Sequence, residues 1–193
     1  MPTPTVLFRA DASETIGAGH LMRCLALAEG FKEHGTEPVF VSRTRHPAYV
    51  RALQQRGFAW TAIAEELPFG EEPATITRLH PPGTVAGVVV DGYWLPQDYF
   101  VRIRALEPTW TLAYIDDLGQ LSDGIDLLVN QNLSADERSY PGADEKGVRI
   151  LAGTRYALLR SEFRKRPRNG SAWRAGVSRI LLTLGGSDTE NHT

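Results

Sequence analysis

The stretch from Val6 to Gly35 constrains the fold more than any other part of the chain. It opens on a short apolar run, Val6, Leu7 and Phe8, with no turn residue inside it. Arg9 to Gly19 is then small and polar. From His20 onward, Leu21, Leu25, Ala28 and Phe31 recur at three- and four-residue spacing, which marks one buried helical face. Gly35 stops the helix, at a place where left-handed backbone favours glycine. The pattern predicts a strand, a loop and a helix in succession. The loop delivers Gly17, Gly19 and His20 to the helix start, where free backbone N–H groups and the positive end of the helix dipole gather. An anion is favoured there. An added proton on the imidazole is disfavoured, which suits His20 to general-base work.

The same alternation continues. Pro38 to Ser42 reads as a second strand and Pro47 to Gly57 as a second helix, with Pro47 in its first turn. Ala59 to Ala64 is a weaker strand. Glu65 to Pro82 is a loop with a short helix over Ala74 to Leu79. Val85 to Asp91 is the clearest buried strand of the chain. Pro96 to Leu106 reads as helix, Trp110 to Asp116 as strand and Leu118 to Ser122 as a turn or short helix. Ile125 to Asn130 and Val148 to Ala152 are strands, separated by a polar loop from Ser134 to Gly147. Strands alternating with helices predict an α/β fold: a Rossmann-like parallel sheet with helices on both faces. Ligands of such sheets collect beyond the carboxyl ends of the strands. Asp11, Ser13, Arg43, Asp91, Tyr93, Asp116, Asp117, Asn130 and Asn132 all fall there, so sequence-distant polar groups converge on one rim.

The first loop is compatible with several chemistries. A dinucleotide fingerprint would need a third glycine where Met22 stands, and an acidic residue near Ser42 to Thr44. A P-loop would need Gly-Lys-Ser/Thr, which does not follow. A lone histidine at this place can also be a cap or a packing residue. Here Arg9, Asp11, Ser13, two glycines and Arg23 surround it. Asp11 is open to two roles, orienting the imidazole or capping the loop. Arg9 and Arg23 are open to phosphate or to local carboxylates.

Among 193 residues, 42% are hydrophobic, enough for a sizeable core. A formal net charge of −2 without a long basic run argues against nucleic acid or an anionic membrane as partner. The sequence has no apolar run of membrane-spanning length. The single cysteine, Cys24, sits within the first helix and reads as a packing residue. A cytoplasmic setting is expected. No Cys/His cluster calls for zinc, and neither metal nor cofactor is expected. Phe163 to Ser178 turns basic and carries Pro, Gly and Ser, as a linker does. Arg179 to Leu184 then reads as a strand, followed by Gly185-Gly186-Ser187-Asp188.

R-A-D-A-S-E-T-I-G-A-G-H-L-M-R-C-L-A-L-A, at 9 to 28, resembles the N-terminal signature of the UDP-sugar hydrolases of pseudaminic acid biosynthesis. Shorter motifs follow in the same order: V-V-V-D-G-Y-W at 88 to 94, I-D-D at 115 to 117, L-L-V-N-Q-N at 127 to 132, L-A-G-T-R-Y-A-L-L-R-S-E-F at 151 to 163 and L-T-L-G-G-S-D at 182 to 188. That family removes UDP from UDP-2,4-diacetamido-2,4,6-trideoxy-β-L-altropyranose and is similar to two-domain glycosyltransferases of the GT-B type. The resemblance implies that 1–163 form an N-terminal domain, 164–178 a linker and 179–193 the opening of a nucleotide-binding domain whose remainder is missing. It implies a UDP-sugar as substrate and His20 as the base that activates water. It implies Gly17, Gly19, Arg9, Asp11, Arg23 and Tyr93 as substrate-binding residues, with Gly186, Ser187 and Asn191 at the nucleotide. Where the family more often carries a His-like residue, this chain has Gly92. A glycosyltransferase using the same histidine, or a non-catalytic sugar-nucleotide-binding domain, are the alternative functions.

Overall fold

The computed structural model describes residues 3–80, 83–164 and 180. Seven strands form one parallel sheet: β1 (Thr5–Ala10), β2 (Glu37–Ser42), β3 (Ala59–Ala62), β4 (Val85–Asp91), β5 (Thr111–Ile115), β6 (Leu127–Asn130) and β7 (Arg149–Ala152). Their order is β3-β2-β1-β4-β5-β6-β7, and every neighbouring pair is parallel. Among the described residues five α-helices accompany the sheet: α1 (Gly19–Glu33), α2 (Pro47–Gln55), α3 (Glu72–Leu79), α4 (Tyr99–Leu106) and the short α5 (Ser161–Arg164). This is the Rossmann-like arrangement expected from the alternation. Its chain order reverses between β1 and β4, which makes their carboxyl ends the place for a crevice.

The period of two along each strand assigns side chains to opposite faces. Phe8, Phe40, Val89, Ala113 and Val129 share a buried cluster with Leu21, Cys24 and Leu25 of α1 and Leu53 of α2. Leu7, Val41, Val88, Val90 and Leu112 share the other with Ile76 of α3 and Tyr99 and Ile103 of α4. Helices therefore cover both faces, as a parallel sheet requires. Phe8 stacks on Phe40 with centroids 5.4 Å apart and meets Phe31 edge-on at 5.7 Å, which seats α1 against the strands. At the end of α1, Gly35 takes φ 77°. The Thr36 and Gly35 amides donate to the Phe31 and Lys32 carbonyls at 3.1 Å each, closing the helix with a Schellman motif.

Helix α4 starts at Tyr99 rather than Pro96, because Pro96 heads a turn whose carbonyl accepts the Tyr99 amide at 3.0 Å. Leu118 to Ser122 makes no helix. The amides of Leu118, Gly119 and Gln120 instead donate to the Asp116 carboxylate. The polar loop before β7 is anchored by buried Tyr140, which bonds Asp116 and Asn130 at 2.7 Å each. No described helix is long and apolar enough to cross a membrane. Almost all of the linker, the following strand, and Gly186, Ser187 and Asn191 lie outside the described residues.

Candidate active site at the strand reversal

The loop between β1 and α1 closes on itself. The Gly17 amide donates to the Ser13 carbonyl at 2.8 Å, and the Ile16 amide to the Ser13 hydroxyl at 3.0 Å. Gly17 adopts φ 80°, where a side chain is strained, so its glycine serves the turn. Gly19 has ordinary φ, and nothing lies within 4 Å of where its Cβ would stand. It opens the start of α1 to the surface. One turn of helix then puts His20 and Arg23 on the same side, over the end of β4.

Asp91, the last residue of β4, meets them there. Its Oδ1 accepts from His20 Nδ1 at 2.6 Å. A carboxylate can only accept, so Nδ1 carries the hydrogen, and in the neutral ring Nε2 keeps its lone pair. Nε2 makes no hydrogen bond to any described residue. Tyr93 and Trp94 meet the imidazole edge-on, with centroids at 4.6 and 5.2 Å, and hold the ring from its sides. The result is a histidine oriented by an aspartate, with one basic nitrogen left over.

Arg23 locks this arrangement to the next strand. Its Nε and Nη2 bond the two oxygens of Asp91 at 2.5 and 2.6 Å, and Nη1 bonds Asp117 beyond β5. Burial works against the guanidinium charge, but bonds to Asp91 and Asp117 outweigh it and raise its pKa. Burial likewise pulls Asp117 upward, and bonds from Tyr93 and Arg23 override it, leaving the carboxyl below its usual range. Asp117 also accepts from the Tyr93 hydroxyl, and from Asn132 at 3.0 Å. Burial and that bond to Asp117 push the Tyr93 phenol up to about 12, so it stays a hydrogen-bond donor. Cys24 lies in the core 3.8 Å from Asp91, and burial pushes its thiol well up, as befits a packing residue.

Two cavities flank the loop. One of about 320 Å3 is lined by Gly19, His20, Arg23, Tyr93, Asp117 and Gln131, with Ile16 at its edge. The other, about 690 Å3, lies between the β1–α1 loop and the segments after β2 and β3, again with Ile16 in its wall.

Of the residues singled out from sequence, Gly19, His20, Arg23 and Tyr93 come together around the smaller cavity. Arg9 does not. It is 1% exposed and bonds buried Glu72 on the opposite face of the sheet from α1. Neither a phosphate nor a sugar at the rim would meet it. Asp11 does not reach the imidazole either. It accepts from the Ser42 hydroxyl at 3.0 Å and the Arg43 amide at 2.7 Å, and lies 2.7 Å from Arg9 Nη1. Its hydrogen bonds run to residues at the end of β2 rather than to the imidazole. Asp91 is the partner that sequence reasoning left unassigned. Its position at the end of the most obvious strand was the available signal. Replacing Asp91 with Asn, which keeps the shape but can present an amide to Nδ1, is expected to lower kcat about 10²-fold with KM little changed. Steady-state kinetics check this; unchanged kcat would remove Asp91 from the machinery.

No family model matches the chain. Two curated proteins are similar to it across nearly its whole length. One is the UDP-2,4-diacetamido-2,4,6-trideoxy-β-L-altropyranose hydrolase of Campylobacter jejuni, 24% identical over 191 residues, covering 96% of this chain and 62% of the relative. The other is an uncharacterized protein of Methanocaldococcus jannaschii, 22% identical over 187 residues, covering 95% of this chain and 37% of the relative. The chain thus spans under two thirds of either relative's length. Among solved structures, a carbonyl reductase from Pseudomonas aeruginosa superposes with TM-score 0.50 at 14% identity, covering 82% of this chain and all of the other. Acinetobacter baumannii MurG superposes with TM-score 0.46 at 12% identity, covering 67% of this chain and 41% of the other. A Rickettsia africae glycosyltransferase gives TM-score 0.48 at 12% identity, covering 60% and 30%. By fold the chain is a Rossmann-like α/β protein, and by sequence it is distantly related to a UDP-sugar hydrolase.

Proposed function

We propose that this chain supplies the catalytic base and sugar-side rim of an enzyme that hydrolyses a UDP-sugar. The observation that carries the reading is the Asp91–His20 pair, with His20 in the wall of a cavity at the strand reversal and its Nε2 unbonded to any described residue. The distant relationship to a UDP-sugar hydrolase supplies the substrate class. In this mechanism His20 Nε2 takes a proton from water. The water oxygen bonds to the anomeric carbon from the face opposite UDP, inverting the centre. The C1–O bond breaks and its electron pair leaves with the diphosphate. Asp91 stabilises the imidazolium that forms. UDP leaves readily as an anion, so no second carboxylic acid is needed as general acid, unlike in ordinary inverting glycosidases. Tyr93 would hold the water or sugar through its hydroxyl while Asp117 fixes its ring. The two-domain GT-B arrangement, with 179–193 opening a second domain that carries Gly186, Ser187 and Asn191 to the nucleotide, belongs to the same proposal.

The test is UDP release from UDP-2,4-diacetamido-2,4,6-trideoxy-β-L-altropyranose, with product analysis in the presence and absence of an alcohol acceptor. Free sugar and UDP in both are expected. A glycoside formed only with acceptor would make the enzyme a transferase. No release from folded protein containing these residues and the second domain would overturn the reading.

A further inference from the structure

Gln131 directly follows β6 and lines the smaller cavity together with His20, yet the mechanism above gives it no part. Its side-chain oxygen accepts from the Leu158 amide at 2.8 Å. A backbone N–H can only donate, so it meets the oxygen of the carboxamide, and the NH2 group takes the other arm of the fork. That orientation is held from several sides. Leu158 packs against the buried cluster that includes Leu21 and Leu25 of α1. On one side of Gln131, Asn130 donates to the Tyr140 hydroxyl at 2.7 Å and accepts from the Asn132 amide at 3.1 Å. On the other, the Asn132 side chain donates to Asp117 at 3.0 Å. The Gln131 amino group itself bonds no described residue.

The other polar side chains around this cavity are engaged as donors or can only accept. Each Arg23 guanidinium nitrogen bonds Asp91 or Asp117. The Tyr93 hydroxyl gives its one hydrogen to Asp117, and His20 gives Nδ1–H to Asp91. What His20, Tyr93 and Asp117 still offer a ligand is lone pairs. A sugar hydroxyl or an amide N–H can donate to them. An acyl carbonyl oxygen cannot, and it finds its side-chain donor in Gln131. The one aliphatic residue lining the cavity, Ile16, is 39% exposed and suits the methyl end of the same acyl group. A phosphoryl oxygen also accepts, but the carboxylates of Asp91 and Asp117 outnumber the single guanidinium of Arg23 and disfavour an anion. Resting on the hydrolase reading, we infer that Gln131 is a specificity-determining residue: its amino group donates to an acyl carbonyl of an N-acetylated pyranose, so the cavity selects acetamido over hydroxyl substituents.

The test measures affinity by calorimetry in the His20→Asn background, where turnover does not intervene. Three ligands are compared: the UDP-2,4-diacetamido-2,4,6-trideoxy sugar and its analogues with a hydroxyl in place of the C2 or the C4 acetamido group. With Gln131 present, one of the two analogues should bind about tenfold more weakly than the parent, the worth of one good hydrogen bond. Gln131→Glu keeps an oxygen for the Leu158 amide and removes the donor; Gln131→Met removes both. Each should weaken the parent about tenfold and leave that analogue within about twofold of it. Weakening of all three ligands by one factor would make Gln131 only a tether for Leu158. That outcome, unchanged discrimination, or no binding of the parent overturns the assignment. UDP release by the wild-type protein is read separately. Discrimination that depends on Gln131 without UDP release keeps the role of this residue and removes the hydrolase; UDP release without such discrimination does the reverse.

Discussion

Replacing His20 with Asn is expected to abolish practical turnover, lowering kcat about 10²–10⁴-fold, the range that a positioned general base contributes. Asparagine is smaller than histidine but can still donate to Asp91, so the Arg23 bridge should survive. Substrate affinity, measured by calorimetry on the inactive protein, should stay near that of the wild type. Loss of kcat with retained binding identifies a group that acts on the reacting atoms. Turnover near the wild-type rate would sink the base assignment, since no other described residue around the smaller cavity offers an unbonded imidazole nitrogen. Collapse of both binding and folding would instead make His20 a structural wedge.

Replacing Glu72 with Ala should be the most destabilising single change in the described structure, although Glu72 is far from the imidazole. This carboxylate is fully buried between α3 and the sheet. It accepts from Arg9, from Arg43 and, at 2.6 Å, from the Tyr99 hydroxyl. Removing it leaves Arg9 buried with only Asp11 to face. Deleting one member of a buried ion pair typically costs about 3–5 kcal/mol. Urea unfolding should show a lower midpoint at constant slope, and a loss below about 1 kcal/mol would refute the account. The sign with pH follows from the same contacts. Burial raises the Glu72 carboxyl, but bonds from Arg9, Tyr99 and Arg43 outweigh it and hold the group below its ordinary value. Its contribution is therefore complete above the ordinary carboxylate range and lost as the pH falls through the lowered folded value. Glu72→Gln should flatten the acid limb of the stability profile.

Much of the architecture was legible because burial writes itself plainly into short runs. V-A-G-V-V-V-D is β4, residue for residue, since a strand covered on both faces needs no polar alternation. The start and end of α1 were legible from loop chemistry and Gly35. The start of α4 was not, because Pro96 is as much at home heading a turn as opening a helix. In the site, His20 could be placed from its local sequence, but its partner could not. Asp91 is 71 residues away, and only the β1–β4 pairing brings it near. Asp11, close in sequence, was the natural rival and faces the second strand instead. Arg9 is the instructive case. Strand alternation puts it with Leu7 and opposite Phe8, and Phe8 lies against α1. Its side chain therefore had to enter the face covered by α3 and α4, a conclusion the period of two already contained.

The bridge made by Arg23 sets the sign of the field at the rim. Two carboxylates, Asp91 and Asp117, share one guanidinium, and with the imidazole neutral the cluster sums to one negative charge. Such a field is unfavourable to a diphosphate close by, and favourable to the oxocarbenium character that a pyranose acquires as its C1–O bond loosens. That sign holds until the proton arrives on His20, at which point the cluster becomes neutral. Proton capture and the discharge of that field are then one event, so the potential that helps ionise the sugar fades once water has attacked.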